Sequence, residues 1–511
     1  MTDWTSGYVA DIGYTYGYYD LLNPLRINLA LLKAGLVPPQ VATACELGFG
    51  QGLSINVHGA ATGIQWYGTD FNPAQAGYAQ ELAAGIDGGP QLFDQSFAEF
   101  CSRTDLPDFD FISLHGIWSW ISDENRAVIV DFVRRKLRAG GVLYISYNTQ
   151  PGFAAMVPVR DLMAQHAATL TPPGAGVLAK VDGALAFANR LMATNPLFAR
   201  ANPQIAERLK ALAALDRHYL AHEYFNRDWL PMSFADMAQM LSAAKLDFAC
   251  SATFSDLVPA LNLTPDQQAL LKELGDPTFR ESVHDFMVCQ QFRRDYWIKG
   301  KRQLRAVECA EQVRAQRVVL CEAPASVTLS IKGALGDAAL TEAIYAPIIK
   351  LLGDHAVRTI GDMEASLRSE GIVLGQLHEA CLLLANKGVL AGAQDPTVAN
   401  ARRPQTERLN RRLLLQARSG GEVSTLASPV TGSGIPVGRF QQLFISAIMQ
   451  GKQQPSEWAH HAWQVLKASQ QTISKEGVML VGDEQNLSEL STQATEFRDR
   501  RLPMLRAVGI V

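Results

Sequence analysis

The chain has 511 residues, too many for one hydrophobic core, and its 48% hydrophobic content suffices for the roughly two to four domains that such a length implies. A formal net charge of -4 with no long run of like charge excludes a nucleic-acid-binding surface spread over the whole molecule, and seven cysteines without a CxxC pair indicate neither a zinc site nor a disulfide framework. No basic segment followed by an apolar one opens the chain, and no stretch of about eighteen uninterrupted apolar residues occurs, so a globular, cytoplasmic protein without membrane insertion is expected.

After a tyrosine-rich opening and a helical stretch over 25–34, apolar runs alternate with helical patterns, the βαβ rhythm of a parallel sheet. The strands fall at 41–47, 64–69, 90–93, 109–114 and 141–147, with helices beginning near Gln51, Pro73, Ser96 and Ser122. From about 155 to 245 the pattern is helical and reads as an insertion. Two later runs, 245–254 and 282–292, have strand character and are expected to complete the sheet as an antiparallel pair. Three helical patterns between 325 and 395 suggest a winged-helix-like domain, and the last hundred or so residues read as an α+β region. The division expected is 1–150 for a Rossmann-like core, 151–300 for the insertion and completion of the sheet, 301–395 for the winged-helix-like unit and 396–511 for a C-terminal domain.

The chemistry begins at ACELGFGQG, where a strand runs into Glu46 and then Gly48, Gly50 and Gly52. Glycine is needed where the backbone turns sharply and a ligand approaches it closely. A dinucleotide fingerprint, GxGxxG, puts its third glycine three places after the second, whereas here it follows after two. An acid just before the first glycine repels a pyrophosphate and suits a ligand with a cationic amino-acid tail. This spacing resembles motif I of class I S-adenosylmethionine (SAM)-dependent methyltransferases. The next strand ends at Asp70, where a carboxylate can accept from both ribose hydroxyls of an adenosine ligand. Ser96 and Phe97 follow the third strand, where an adenine ring would lie, although Phe97 equally suits a core. His115 ends the fourth strand, with Trp118 and Trp120 just beyond, and Tyr147 and Asn148 end the fifth. Ligands of open α/β sheets bind beyond the carboxyl ends of the strands, so His115, Tyr147 and Asn148 are expected to face the crevice. His218 and His222, four apart with Glu223 adjacent, have a spacing that can hold a metal but read better as a structural helix face. Arg402, Arg403, Arg408, Arg411, Arg412 and Arg418 read as a solvated helix face or as a surface that steers an acidic substrate.

The segments YTYGYYDLLNP, CELGFGQGLSINV, GTDFNP, DFDFISLHGIWSW, GGVLYISYNTQPG and YLAHEYFN resemble bacterial methyltransferases that carry a methyltransferase regulatory domain, among them the rickettsial outer-membrane-protein lysine methyltransferases. The resemblance covers residues 10–300 well and the rest loosely. It implies SAM contacts at Glu46, Gly48, Asp70, Phe71, Ser96, Phe97 and His115, with Asn72 beside the ribose-binding Asp70, and a segment from Tyr14 through Tyr18 to Tyr19 that closes over the cofactor. It also implies a protein-lysine acceptor, an outer-membrane or surface protein before export being one option, and it leaves room for a homodimer. Tyr147, Asn148, His115 and Trp118 are the side chains expected to orient the amine, and the residues beyond about 300 are expected to select the substrate. A small-molecule or sugar O-methyltransferase and a non-catalytic SAM-binding regulator are the alternatives.

Overall fold

The expected βαβ rhythm closes into one seven-stranded sheet: β1 (Thr43–Leu47), β2 (Gln65–Asp70), β3 (Gln91–Asp94), β4 (Phe109–Leu114), β5 (Leu137–Asn148), β6 (Leu246–Ser251) and β7 (Phe292–Lys299), in the order β3-β2-β1-β4-β5-β7-β6. The structure is a computed structural model and describes residues 5, 7–9, 12, 13, 15–172 and 174–511. Strands β1 to β5 are parallel, while β7 runs antiparallel between β5 and β6. The chain order reverses between β1 and β4, which opens a crevice at the carboxyl ends of those two strands. Register sets Glu46 opposite Gly68 on one side and Ser113 on the other.

Helices α1 (Pro24–Lys33), α2 (Leu53–Ala61), α3 (Pro73–Ala83), α4 (Phe97–Cys101) and α5 (Asp123–Lys136) flank the sheet. Their starts follow from capping chemistry. Asn72 accepts from the amides of Ala74 and Gln75 ahead of Pro73, Ser96 and Glu99 form a reciprocal capping box, and Ser122 accepts from Asn125. In α5 the acids Asp123 and Glu124 sit at the first turn and Arg134, Arg135 and Lys136 at the last, matching the helix dipole.

The insertion is a bundle of α6 (Val157–Thr169), α7 (Val177–Ala193), α8 (Leu197–Ala201), α9 (Gln204–Ala213) and α10 (Arg217–Tyr224) around its own core of Met163, Leu185, Leu209 and Leu220. After it come α11 (Phe234–Ser242), β6, α12 (Pro265–Glu273) and α13 (Pro277–Val288). The strand expected over 282–292 is therefore corrected. Asp276 caps Phe279 and Pro277 opens α13, Cys289 ends it at a φ of 50°, and the antiparallel strand begins only at Phe292. Buried charge hid that strand from a hydrophobicity pattern, since Arg293 and Asp295 are both in its interior positions.

In residues 301–395, Arg317–Leu320 pairs with Arg358–Thr359 and Leu390–Gly392, beside four helices. The helix Leu374–Asn386, which a nucleic-acid-reading winged helix would present outward, is instead buried against α1: His378 Nε2 lies 3.0 Å from the Leu29 carbonyl and Lys33 pairs with Glu379 at 2.8 Å. Strand Leu390–Gly392 leads directly to the long helix Pro396–Gln416, with no hairpin between.

That long helix lies across the outer face of α2 and α3, and the arginine cluster changes meaning there. Arg402 donates to the carbonyls of Gly59 (2.6 Å) and Ala60 (3.0 Å), Arg408 to Gly85 (2.6 Å), and Arg412 to Glu81 (2.9 Å) and Leu82 (2.8 Å). These carbonyls belong to the last turns of α2 and α3 and the loop after α3, so the guanidiniums satisfy acceptors that a helix end leaves open. Neither a solvated face nor a steering surface describes Arg402 and Arg412, while Arg408 stays half exposed beside Asp87. Beneath them Leu53, Val57, Leu82 and Ile86 share one apolar core with Leu409, Leu413, Phe444, Trp458 and Phe497. Arg402→Ala removes charge-assisted hydrogen bonds from a half-buried contact and should destabilise the protein by about 2 kcal/mol. Exposed Arg411, whose nearest acid Glu407 lies at 4.0 Å, should change stability by less than about 0.5 kcal/mol when made alanine. Melting temperatures of the two variants check the contrast.

Candidate functional site

At the reversal point, strand β1 delivers Glu46 to the sheet edge and the chain turns through Gly48, Gly50 and Gly52, all with φ between 57° and 76°. A Cβ on Gly48 would stand 2.4 Å from Ile117 Cδ1, and one on Gly52 would stand 2.4 Å from Ala79 Cβ. The first glycine thus clears the cavity wall, while Gly52, which is not on that wall, lets α2 pack on α3. The loop is tied to the end of β2 by Asp70, whose two carboxylate oxygens accept from Gly50 N (2.8 Å) and Asn72 N (3.0 Å).

Around this loop lies a cavity of about 260 Å³. Its wall brings together Glu46, Gly48, Gly50, Asp70, Phe71, Ser96, Phe97 and His115 from four different strand ends. Thr15, Gly17 and Tyr19 form part of the opposite wall, with the Tyr19 ring 3.9 Å from that of His115. Tyr8 meets Phe71 edge-on at 5.6 Å. Among the described lining residues there is no lysine or arginine.

That composition sets the electrostatics. Burial, with Asp70 adding to it, pushes the Glu46 carboxyl up to about 8, and its Oε2 is buried without a hydrogen-bond partner. Asp70 is raised to about 6, burial outweighing the two amides that stabilise its charge. His115 lies with Nδ1 2.8 Å from the Tyr144 hydroxyl, and burial lowers its pKa to about 3, so its ring is neutral at pH 7.

Several expected residues lie elsewhere. Tyr14 falls outside the described residues. Tyr18 turns away from the cavity: its hydroxyl accepts from Gly434 N at 2.7 Å and lies 3.1 Å from His58 Nε2, joining the core under the C-terminal region. Asn72 spends its side chain on capping α3 and is not on the cavity wall. Tyr147 and Trp118 are corrected as acceptor-orienting residues. Both are fully buried on the other face of the sheet, Tyr147 donating to Asp295 Oδ2 at 3.0 Å and Trp118 Nε1 lying 3.3 Å from Met232 Sδ. Alternation along β5 then turns Asn148 to the opposite face from Tyr147. Its amide N–H donates to Ser119 Oγ at 2.8 Å, and its side chain meets Glu223.

Glu223 and Trp120 are the residues that reading the sequence missed. Trp120, two positions beyond Trp118, lines the cavity and donates through Nε1 to the Glu223 carbonyl at 2.9 Å. Burial raises the Glu223 carboxyl to about 7, with Asn148 acting in the other direction. The only signal in the sequence was an acid next to His222, whose ring lies 5.5 Å from that of Tyr8.

A family model described as "Predicted methyltransferase regulatory domain" matches residues 216–299. The sequence is 37% identical over 513 residues to the uncharacterized protein sll1526 of Synechocystis sp., covering 99% of each chain. It is 25% identical over 295 residues to the uncharacterized protein RP789 of Rickettsia prowazekii, 55% of this chain and 51% of that one. Among solved structures, PKMT2 from Rickettsia typhi in complex with AdoHcy has the same fold, with a TM-score of 0.68 at 16% identity over 97% of this chain and 99% of that one.

Carboxyls with raised pKa values favour their protonated state in the folded protein. Their contribution to stability is complete below the ordinary carboxylate range and is lost as pH rises through about 6 for Asp70 and about 8 for Glu46. The melting temperature of the ligand-free protein should therefore fall from about pH 5 to about pH 8.5. In Glu46→Gln the upper part of that fall should flatten, and an unchanged slope would place the titration on another group.

Proposed function

Because the chain belongs to the family of the Synechocystis protein and carries the methyltransferase regulatory domain on a class I methyltransferase fold, we propose that it transfers the methyl group of SAM to an amine, with the side chain of a protein lysine as the acceptor. The observation that carries this reading is Glu46 Oε2, a carboxylate oxygen buried without a partner on the wall of a cavity that has no lysine or arginine among its described lining residues. Such an atom fits an ammonium group, the one that SAM carries on its amino-acid tail. The complex with AdoHcy recorded for the R. typhi protein of the same fold supports the same ligand class.

In this reading Glu46 receives the ligand's ammonium and Asp70, with lone pairs remaining after Gly50 and Asn72, takes the ribose hydroxyls. Phe97 and Ile117 offer apolar surface to the adenine ring. When bound, SAM supplies an electrophilic methyl group on a sulfonium, so that the sulfur–carbon bond breaks as the nitrogen–carbon bond forms. What the chain itself must do is hold the amine in line and accept its proton. The amine is cationic in water, with an ordinary lysine pKa of about 10.4. A cavity wall that buries Glu46 and Asp70, with no lysine or arginine among its described residues, admits such a group. His115, lowered to about 3, is too weak a base to activate a hydroxyl, which favours an amine over an alcohol as the acceptor.

Calorimetry should show SAM and AdoHcy binding, and no binding of NAD. Asp70→Ala should weaken SAM by about tenfold to a hundredfold, two hydrogen bonds to a charged acceptor being lost at roughly 1.5–3 kcal/mol each before water compensates. Incubation with methyl-labelled SAM and a lysate of its own cells should put the label on methyl-lysine in a protein. Label in a small-molecule or base-labile fraction would move the acceptor to oxygen, and tight SAM binding with no labelled species would make the protein a SAM-binding regulator.

A further inference from the structure

A second and larger cavity, about 580 Å³, takes no part in that reaction. It lies along β6 and β7 under α11, α12 and α13, and all of its lining residues fall between positions 234 and 301, nearly the span of the regulatory-domain match. Its inner end is made of charge. Arg293, 5% exposed, is saturated: Nε donates to Asp295 Oδ2 (2.9 Å), Nη1 to Asp285 Oδ1 (2.6 Å) and Nη2 to Glu281 Oε2 (2.9 Å). One guanidinium thus serves three carboxylates, and a fourth, Asp256, reaches the same wall with only the Ser251 hydroxyl (2.8 Å) donating to it. Of the remaining cations on the wall, Lys301 donates to the Phe248 carbonyl at 3.1 Å, Arg280 is exposed, and the Arg294 guanidinium stands 4.9 Å from the centre of the Phe292 ring with its Nε–H unpartnered. His284 Nδ1 approaches Asp285 Oδ1 only to 3.8 Å.

Four buried polar atoms on this wall have no hydrogen-bond partner among the described residues: Asp285 Oδ2, Trp297 Nε1, His284 Nδ1 and Arg294 Nε, with Asp285 2% and Trp297 1% exposed. A buried carboxylate oxygen left unpaired costs more than most hydrogen bonds return, and such an atom facing a cavity marks a place for a donor. Five carboxylates on the wall, Asp247, Asp256, Glu281, Asp285 and Asp295, outnumber its four Lys and Arg side chains by one, which makes a cation the fitting donor for Asp285 Oδ2. No group of three or more His, Cys, Asp or Glu among the described residues converges as metal ligands do, which favours an organic cation over a metal ion.

We propose that this cavity binds a small organic ammonium compound, an amine or a basic amino acid, with Asp285 Oδ2 and Asp256 as its anionic contacts. The site is separate from the SAM-binding reading and does not depend on it. It does touch the sheet that carries the first cavity, because Asp295 accepts the Tyr147 hydroxyl and Tyr147 precedes Asn148 at the end of β5.

Titration calorimetry on the full chain with putrescine and with L-lysine tests this, with glutarate as an anionic control of similar length. Saturable heat is expected from both amines and none from glutarate. Asp256→Asn leaves the three ion pairs of Arg293 in place and should weaken amine binding by about tenfold or more, as should Asp285→Asn if it folds. Asp70→Ala, which disables the first cavity, should leave amine affinity unchanged. The proposal is overturned if neither amine gives saturable heat at millimolar concentration, if glutarate binds instead, or if Asp256→Asn binds the amines as tightly as the parent while Asp70→Ala does not.

Discussion

Removing a carboxylate from water without giving it a cation is expensive, and this protein does so twice on the wall of one crevice. Glu46 comes from β1 and Asp70 from β2. Their raised pKa values reflect that cost, which is relieved either by protonation or by a positive charge entering the crevice. The rest of the molecule can be understood as the frame that keeps those groups dry and fixed. The glycine turn is held to the end of β2 by the bond from Gly50 N to Asp70 Oδ2, and the Tyr19 ring, tilted against that of His115, covers the side that the sheet leaves open.

The C-terminal region belongs to that frame. Helices α2 and α3 carry the glycine turn and the Asp70 loop at their N-terminal ends. Their opposite ends are closed by arginines of the helix Pro396–Gln416, and their outer face is buried by the last hundred or so residues of the chain. A second core joins α1 and the sheet residues Phe111, Tyr144 and Tyr296 to Leu377, Cys381 and Leu384. Residues beyond 300 are therefore built into the support of the crevice, and a role in contacting a protein acceptor would be added to that support.

The first cavity opens at the carboxyl ends of the strands, whereas the second lies along β6 and β7 at the edge of the sheet. In β5 the alternation of side chains sends Asn148 toward Glu223 and Tyr147 toward the Arg293 cluster, so adjacent residues of one strand end at two different charged sites. In β7, Arg293, Asp295 and Trp297 share one face and all three line the second cavity. The same strand pairing that completes the sheet thus places the buried ion cluster within one hydrogen bond of the strand that leads to the first crevice.

Much of this was legible in the sequence. Glu46, the alternating glycines and Asp70 are local signals, because a glycine turn after a strand and an acid at the end of the next strand lie in one contiguous βαβ unit whose geometry varies little. Strand positions through 148 followed from hydrophobic runs for the same reason, and the Asn, Ser and Asp residues that start the helices act on amides only two or three positions away. What the sequence left open depends on contacts between distant segments. Whether Tyr147 or Asn148 faces the crevice is decided by a one-residue change of face, and Trp118 against Trp120 by a single 3₁₀ turn. Strand β7 was hidden because its interior carries Arg293 and Asp295, whose burial is tolerable only beside Asp285 and Glu281 on α13. The arginines of Pro396–Gln416 look solvated until the carbonyls of Gly59, Gly85 and Leu82, more than 300 positions away, are brought beneath them. Local chain geometry set the turn and the strands that carry the ligand site, whereas long-range packing alone determined which charges are buried together, because the cost of burying a charge depends on what the fold sets next to it.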